Sequence, residues 1–219
     1  MNELYEFLTG PAAWASFIIF IGGLVVRTVY LYGLSRERDT VFYNHVDIKW
    51  GLRSIIHWLI PMGSVSFRAQ PLFAIAFWLF HVCLLGVPIF LSAHNMLWQE
   101  AFGISLPSIP DSLADAGTII CIIAAAYLLL RRITRPEVRI LSTTWDYFLL
   151  VLTSLPFITG FLAYHQIGPY QATLILHILF AEILLIIIPF SKLGHVILFF
   201  FSRAFIGFEM GQRRGARTW

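Results

Sequence analysis

Five long apolar runs govern what this chain can fold into: about 13–33, 72–98, 113–131, 144–164 and 171–190, the last staying apolar to about 205. A helix needs roughly 20 mostly apolar residues to cross the hydrocarbon core of a bilayer. In lipid every backbone N–H and C=O must find its partner inside the protein, so runs of this length and continuity form helices. The sequence therefore predicts an all-α integral membrane protein, a five-helix bundle that makes one transmembrane domain over 1–219, with spans at about 13–33, 72–98, 113–131, 144–164 and 171–205. Charged residues make up 12% of the chain, against about a quarter in soluble domains, which agrees. The first run has no basic stretch before it and no small-residue cleavage site after it, so it reads as a retained helix rather than a signal peptide.

Charge then orients the bundle. With five spans, the N-terminal segment, the loop at 99–112 and the loop at 165–170 share one side, and none of them holds a Lys or Arg. All 15 basic residues fall at 27–68, 131–139 and 192–217, the last group ending in Arg213, Arg214 and Arg217. Basic residues stay in the cytoplasm, so the N-terminus is predicted outside and the C-terminus inside a bacterial cytoplasmic (inner) membrane, as a multi-pass protein. The outer side is mildly acidic (Glu3, Glu6, Glu100, Asp111, Asp115). The net charge of +3 thus reports topology, and no nucleic-acid partner follows from it.

Between the first two spans lies the 34–71 segment, cytoplasmic or interfacial. Its stretch Ile48 to Pro61 contains Trp50, Arg53, His57 and Trp58, which suits an amphipathic helix on the inner surface or a docking face for a cytoplasmic partner. The second inner loop, Arg131-Arg132 to Arg139, serves topology and lipid headgroups, or attracts a partner subunit or a bound anionic group. Cys83 and Cys121 lie in apolar spans, in neither a CxxC nor a CxxCH, so no zinc site or covalent c-type haem attachment is available.

Four histidines sit in two of the spans: His81 and His94 in one, His177 and His195 in the other. Ligating groups in hydrocarbon are costly and point to function. Two pairs at two depths fit two bis-histidine b haems stacked across the bilayer. His177 and His195 are 18 residues apart, which returns them to one face of a helix, about 27 Å apart along an ideal axis. Antiparallel packing matches His81 with His195 and His94 with His177 in depth. His81 and His94 lie roughly 140° apart round an ideal helix, so their pairing needs a distortion, which Pro88 can supply. His45, His57 and His165 lie near or beyond span ends and are expected not to be ligands.

These residues carry a resemblance. Phe80-His81 with Leu84-Leu85-Gly86, Arg131-Arg132 with Pro136 to Arg139, Thr143 and Asp146, and Leu176-His177 with Pro189 to His195 resemble the gamma subunit of respiratory nitrate reductase, a di-haem cytochrome b, over about residues 75–200. By that resemblance His81 and His195 hold the cytoplasm-proximal haem, and His94 and His177 the distal one. The His81–His94 spacing and the 34–71 segment are longer than in that subunit. Both look more like the cytochrome b subunits of sulfate-reducer complexes: the sulfite-reductase-associated, tetrahaem-cytochrome and high-molecular-weight cytochrome complexes. The resemblance implies electron transport in anaerobic respiration. Electrons would cross the membrane between menaquinone or a periplasmic multihaem cytochrome c and a cytoplasmic iron–sulfur subunit like that of heterodisulfide reductase. It also implies a quinone site beside the distal haem on the outer side. From their location, Asn95, Gln99, His165 and Gln166 are candidates for it beside His94, with Tyr164 read as interfacial. Glu182, the one carboxylate deep in a span, is a proton-relay candidate or a hydrogen-bonding partner of a neighbouring helix. Two alternatives stay open: a hydrogenase or formate dehydrogenase type of cytochrome b, and a haem-free membrane anchor or scaffold subunit.

Overall fold

A computed structural model describes residues 2–40 and 42–211. Arg213, Arg214 and Arg217 of the basic C-terminal group lie outside the described residues. The described chain is all helical, with no strand. Six helical stretches are long and apolar enough to cross a membrane: Glu3–Arg38, Pro71–Phe90, Asp111–Thr134, Thr144–Tyr164, Tyr170–Phe190 and Lys192–Gly211. We label the helices α1 (Glu3–Arg38, with a π-turn at Leu8–Ala12), α2 (Ile48–Leu59), α3 (Pro71–Phe90), α4 (Ser92–Phe102), α5 (Asp111–Thr134), α6 (Thr144–Tyr164), α7 (Tyr170–Ile187) and α8 (His195–Ile206). Large apolar side chains such as Ile18, Val26 and Val29 face outward at 65–69% exposure, while small or hydroxylated residues such as Ser16, Thr118 and Thr153 are buried. That inversion suits helices whose outer surface meets lipid and whose contacts depend on close packing.

Two of the five predicted spans are not continuous. The 72–98 run breaks at Leu91, whose extended backbone (φ −68°, ψ 131°) separates α3 from α4. Pro88, inside α3, has no N–H to give to the helix ladder, and the helix stops two residues later at Phe90. The 171–205 run breaks as well. α7 ends at Ile187, two short 3-10 turns follow at Ile188–Phe190 and Lys192–Gly194, and extended Ser191 lies between them. Pro189 is the cause here. The first helix is longer than the predicted 13–33, reaching Arg38.

The chain forms two compact units, one from its two ends and the other from Ile75–Ala181. In the first, the break after α7 exposes main-chain carbonyls in an apolar setting, and α1 supplies the donor. Arg27 donates from Nη1 to the carbonyl oxygens of Pro189 and Ser191, each at 2.6 Å. An apolar environment offers these carbonyls no water, so losing the donor leaves them unsatisfied. Arg27→Met is expected to lower unfolding stability by about 2–3 kcal/mol, read by thermal unfolding in detergent; an unchanged melting temperature would contradict this capping role.

The 34–71 segment also takes its form in this unit. Asp47 caps α2 by accepting from the Trp50 N–H at 3.2 Å. α2 packs along α8, and the 207–211 turn that follows α8 packs against the start of α2 and against residues 42–45. Tyr43 in turn sits on α1, its hydroxyl donating to Ser35 Oγ at 3.0 Å and its ring under Arg36 at 4.4 Å. The Lys192–Gly211 stretch therefore ends beside the connection that follows α1.

In the second unit α5 packs along α6. Phe80, Val87, Cys121, Ala124, Ala125 and Phe157 form its buried core. The small residues of α5 let neighbouring helices approach closely. α6 starts at a capped turn: the Asp146 carboxylate reaches back to Thr143, its Oδ2 accepting from the Thr143 N–H at 2.9 Å and from the Thr143 hydroxyl at 2.8 Å.

Candidate functional site

Each of the four histidines in the apolar runs is anchored the same way. His81 Nδ1 lies 2.8 Å from the Phe77 carbonyl oxygen, one turn back on α3. His94 Nδ1 lies 2.9 Å from the Pro88 carbonyl, His177 Nδ1 2.8 Å from the Pro156 carbonyl, and His195 Nδ1 2.9 Å from the Lys192 carbonyl. A carbonyl oxygen only accepts, so Nδ1 carries the proton in all four rings and Nε2 carries the lone pair. This is the arrangement that fixes tautomer and orientation in metal-ligating histidines. The two described histidines outside this set that make ring-nitrogen bonds use Nε2 instead: His57 towards the Gly63 carbonyl at 2.5 Å, and His165 towards Asp115 Oδ1 at 3.1 Å.

The break at Leu91 explains one of these anchors. In an unbroken helix the Pro88 carbonyl would accept from a backbone N–H one turn later; with the helix ended, His94 occupies it. The kink at Pro88 thus both separates α4 from α3 and holds His94. The second anchor depends on a residue the sequence reading did not single out. Gly160 follows Pro156 by one turn on α6, and a Cβ placed there would come within 2.8 Å of His177 Nδ1. Only glycine lets the imidazole reach the Pro156 carbonyl. The available signal was the Pro–Gly pair at i, i+4 in an otherwise bulky apolar helix, which marks one helix face where something approaches closely.

The second unit brings His94 and His177 together, their ring centroids 6.0 Å apart and their planes 20° apart. Metal–imidazole bonds are about 2 Å long, which sets the centroids of two imidazoles on opposite sides of one metal about 6 Å apart. The separation of the pair is therefore that of two imidazoles sharing one metal, and the unit's buried core is apolar. His81 belongs to the same unit as this pair and has the Phe77 ring centroid at 4.1 Å and Phe80 at 5.3 Å. His195 belongs to the first unit.

The residues expected near the quinone have different surroundings. Asn95 is buried at 3% exposure; its Nδ2 donates to Ser108 Oγ at 2.9 Å, and its Oδ1 has no partner among the described residues. His165 is taken up by Asp115, Gln99 is exposed on α4, and Gln166 is exposed with a left-handed backbone (φ 53°) just beyond α6. Of these, Asn95 alone presents a buried, unused acceptor. Glu182 is buried at 8% exposure in α7, and its Oε1 has no partner among the described residues. No group of three or more His, Cys, Asp or Glu side chains fit to hold a metal ion occurs among the described residues, so the histidine chemistry available is that of pairs.

No family model matches the sequence. A protein of Nitratidesulfovibrio vulgaris (strain Hildenborough) is 43% identical over 219 residues, an alignment covering 98% of this chain and 97% of that protein, whose name, "Protein", assigns it no activity.

Proposed function

We propose that this chain, which belongs to the same family as the Nitratidesulfovibrio vulgaris protein it matches along almost its whole length, is the di-haem cytochrome b subunit of a respiratory membrane complex. In this reading it carries electrons across the bacterial cytoplasmic membrane, between menaquinone or a periplasmic multihaem cytochrome c and a cytoplasmic iron–sulfur subunit like that of heterodisulfide reductase. The observation that carries the reading is the shared anchoring of Nδ1 on a backbone carbonyl at His81, His94, His177 and His195, together with the 6.0 Å separation of the His94 and His177 rings.

The ring separation of His94 and His177 supports one haem between them; that His81 and His195 serve the other is what the resemblance to the nitrate reductase gamma-like family implies. Two b haems so held would supply one-electron transfer at two depths of the membrane. The protein's part is orientation. Backbone carbonyls keep each imidazole in one tautomer, and an apolar core keeps water from the His94–His177 site. Five crossings with the N-terminus outside are supported by the one-sided distribution of basic residues.

The unused Asn95 Oδ1 lies next in sequence to His94 and suits acceptance of a hydrogen bond from a quinol hydroxyl. Glu182 is the relay candidate for the proton that quinone chemistry moves. Glu182→Gln is expected to slow turnover-linked proton uptake by about tenfold or more while leaving haem content unchanged; uptake at the parental rate would remove the relay. The reading as a whole is tested by a dithionite-reduced minus oxidised spectrum of the purified chain with pyridine haemochrome quantitation. About two b haems per chain are expected. A chain purified without haem would overturn the proposal in favour of an anchor or scaffold subunit.

A further inference from the structure

The crossing of α2 and α8 leaves three buried polar atoms with nothing to bind among the described residues: Ser54 Oγ, Trp58 Nε1 and Arg203 Nε. They form one group. Ser54 and Trp58 are one turn apart on α2 and so share a face. Arg203 and Gly207 are likewise four residues apart, at the end of α8 and the start of the turn that follows it. The Arg203 guanidinium carbon lies 3.9 Å from the centre of the Trp58 ring and 5.7 Å from that of Phe199, and a Cβ on Gly207 would come within 2.8 Å of Ser54 Cβ. Ser54 is completely buried. Buried polar atoms without partners are rare in native proteins, and each one calls for an account.

The chemistry of the three atoms is one-sided. Indole N–H and guanidinium Nε–H donate only, and the serine hydroxyl can donate as a third. The surrounding charge has the same sign: Lys49 and Arg53 on α2 and Arg203 on α8 stand against Glu209 and against Asp47, whose carboxylate is used by the Trp50 N–H. The Arg203 guanidinium lies over the Trp58 ring, a cation–π contact that holds it at this crossing. What is missing is an acceptor-rich anion, and basic pockets between helices near a membrane surface recognise phosphate headgroups in this way.

We infer that the α2–α8 crossing is a binding site for a phosphate group, held by Arg203, Trp58 and Ser54, supplied by an anionic phospholipid or by free phosphate. The site is independent of the haem assignment and uses none of its residues. It also gives the 34–71 segment a chemical role: α2 becomes one wall of a phosphate site. The test is native mass spectrometry of the full chain, delipidated and then offered either phosphatidylglycerol nanodiscs or inorganic phosphate alone. One phosphate-bearing adduct per chain is expected. Its occupancy should fall about tenfold or more in Arg203→Gln, the loss of a charge-assisted hydrogen bond, and about threefold in Trp58→Phe, which keeps an aromatic ring under the guanidinium and removes the pyrrole ring with its N–H. A lipid adduct that millimolar phosphate does not displace assigns the headgroup as the source; an adduct of phosphate alone assigns the free anion. Absence of either adduct, or equal occupancy in the parent and in Trp58→Phe, would overturn the site, and this second variant carries the test should Arg203→Gln fail to fold.

Discussion

Replacing His177 with alanine is expected to lower the b haem content of the purified chain from about two to about one. In the proposed reading His177 is one of the two residues that would hold this haem, its ring 6.0 Å from that of His94, and no other described histidine presents an Nδ1-anchored ring to His94 in that unit. His94→Ala should give the same loss. His165→Ala should not, because that ring spends its Nε2 on Asp115. The measurement is pyridine haemochrome quantitation, and the reduced difference spectrum should lose one component while keeping the other. Gly160→Val belongs to the same prediction. Its side chain would occupy the space in which His177 reaches the Pro156 carbonyl, so the ring should turn away and the same haem should be lost although both histidines remain. Full loading in His177→Ala would break the pairing of His94 with His177, whatever the fate of the other two histidines.

The second large effect is expected at Gly207. A Cβ there would collide with the Trp50 carbonyl oxygen and come within 2.8 Å of Ser54 Cβ. Neither neighbour can swing aside, since one is backbone and the other is a fully buried side chain on a capped helix. Gly207→Val should therefore separate the end of α8 from α2 and lower stability by about 3 kcal/mol, read as a drop in the thermal unfolding midpoint. Gly33→Ala is the matched control: it is also helical, and nothing lies within 4 Å of its added Cβ. That control should be neutral or slightly stabilising, since alanine is the better helix former by about 1 kcal/mol. Equal effects of the two substitutions would mean that α2 and α8 do not pack through this glycine. α2 would then be free to lie on the membrane surface, as its amphipathic pattern also allows.

These two predictions draw on different amounts of sequence information. The apolar runs stood out because hydropathy is a local property, summed over a single helix, and an apolar solvent leaves the backbone no choice but to satisfy itself. The histidines stood out for the same reason: polar rings in apolar runs need no structure to be noticed. Pro88 was legible as a point of distortion, and the chain breaks three residues beyond it, at Leu91. The break at Pro189 was visible only as a proline in an apolar run. What compensates for it lies on α1, where Arg27 reads by itself as one more basic residue on the inner side.

By itself, then, the sequence determined an all-helical chain with long apolar helices, the placing of four histidines in apolar runs, and the clustering of basic residues in three stretches of the chain. Tertiary structure decided which carbonyl each distant donor meets. It joined His177 to Pro156 across 21 residues and Arg27 to Ser191 across 164. It also packed the amphipathic helix expected within the 34–71 segment, α2, on α8 through Gly207. The physical reason is that periodicity and hydropathy specify which face of a helix is apolar, whereas contacts between faces depend on shape, on where a side chain is absent, and on which backbone groups a break leaves exposed.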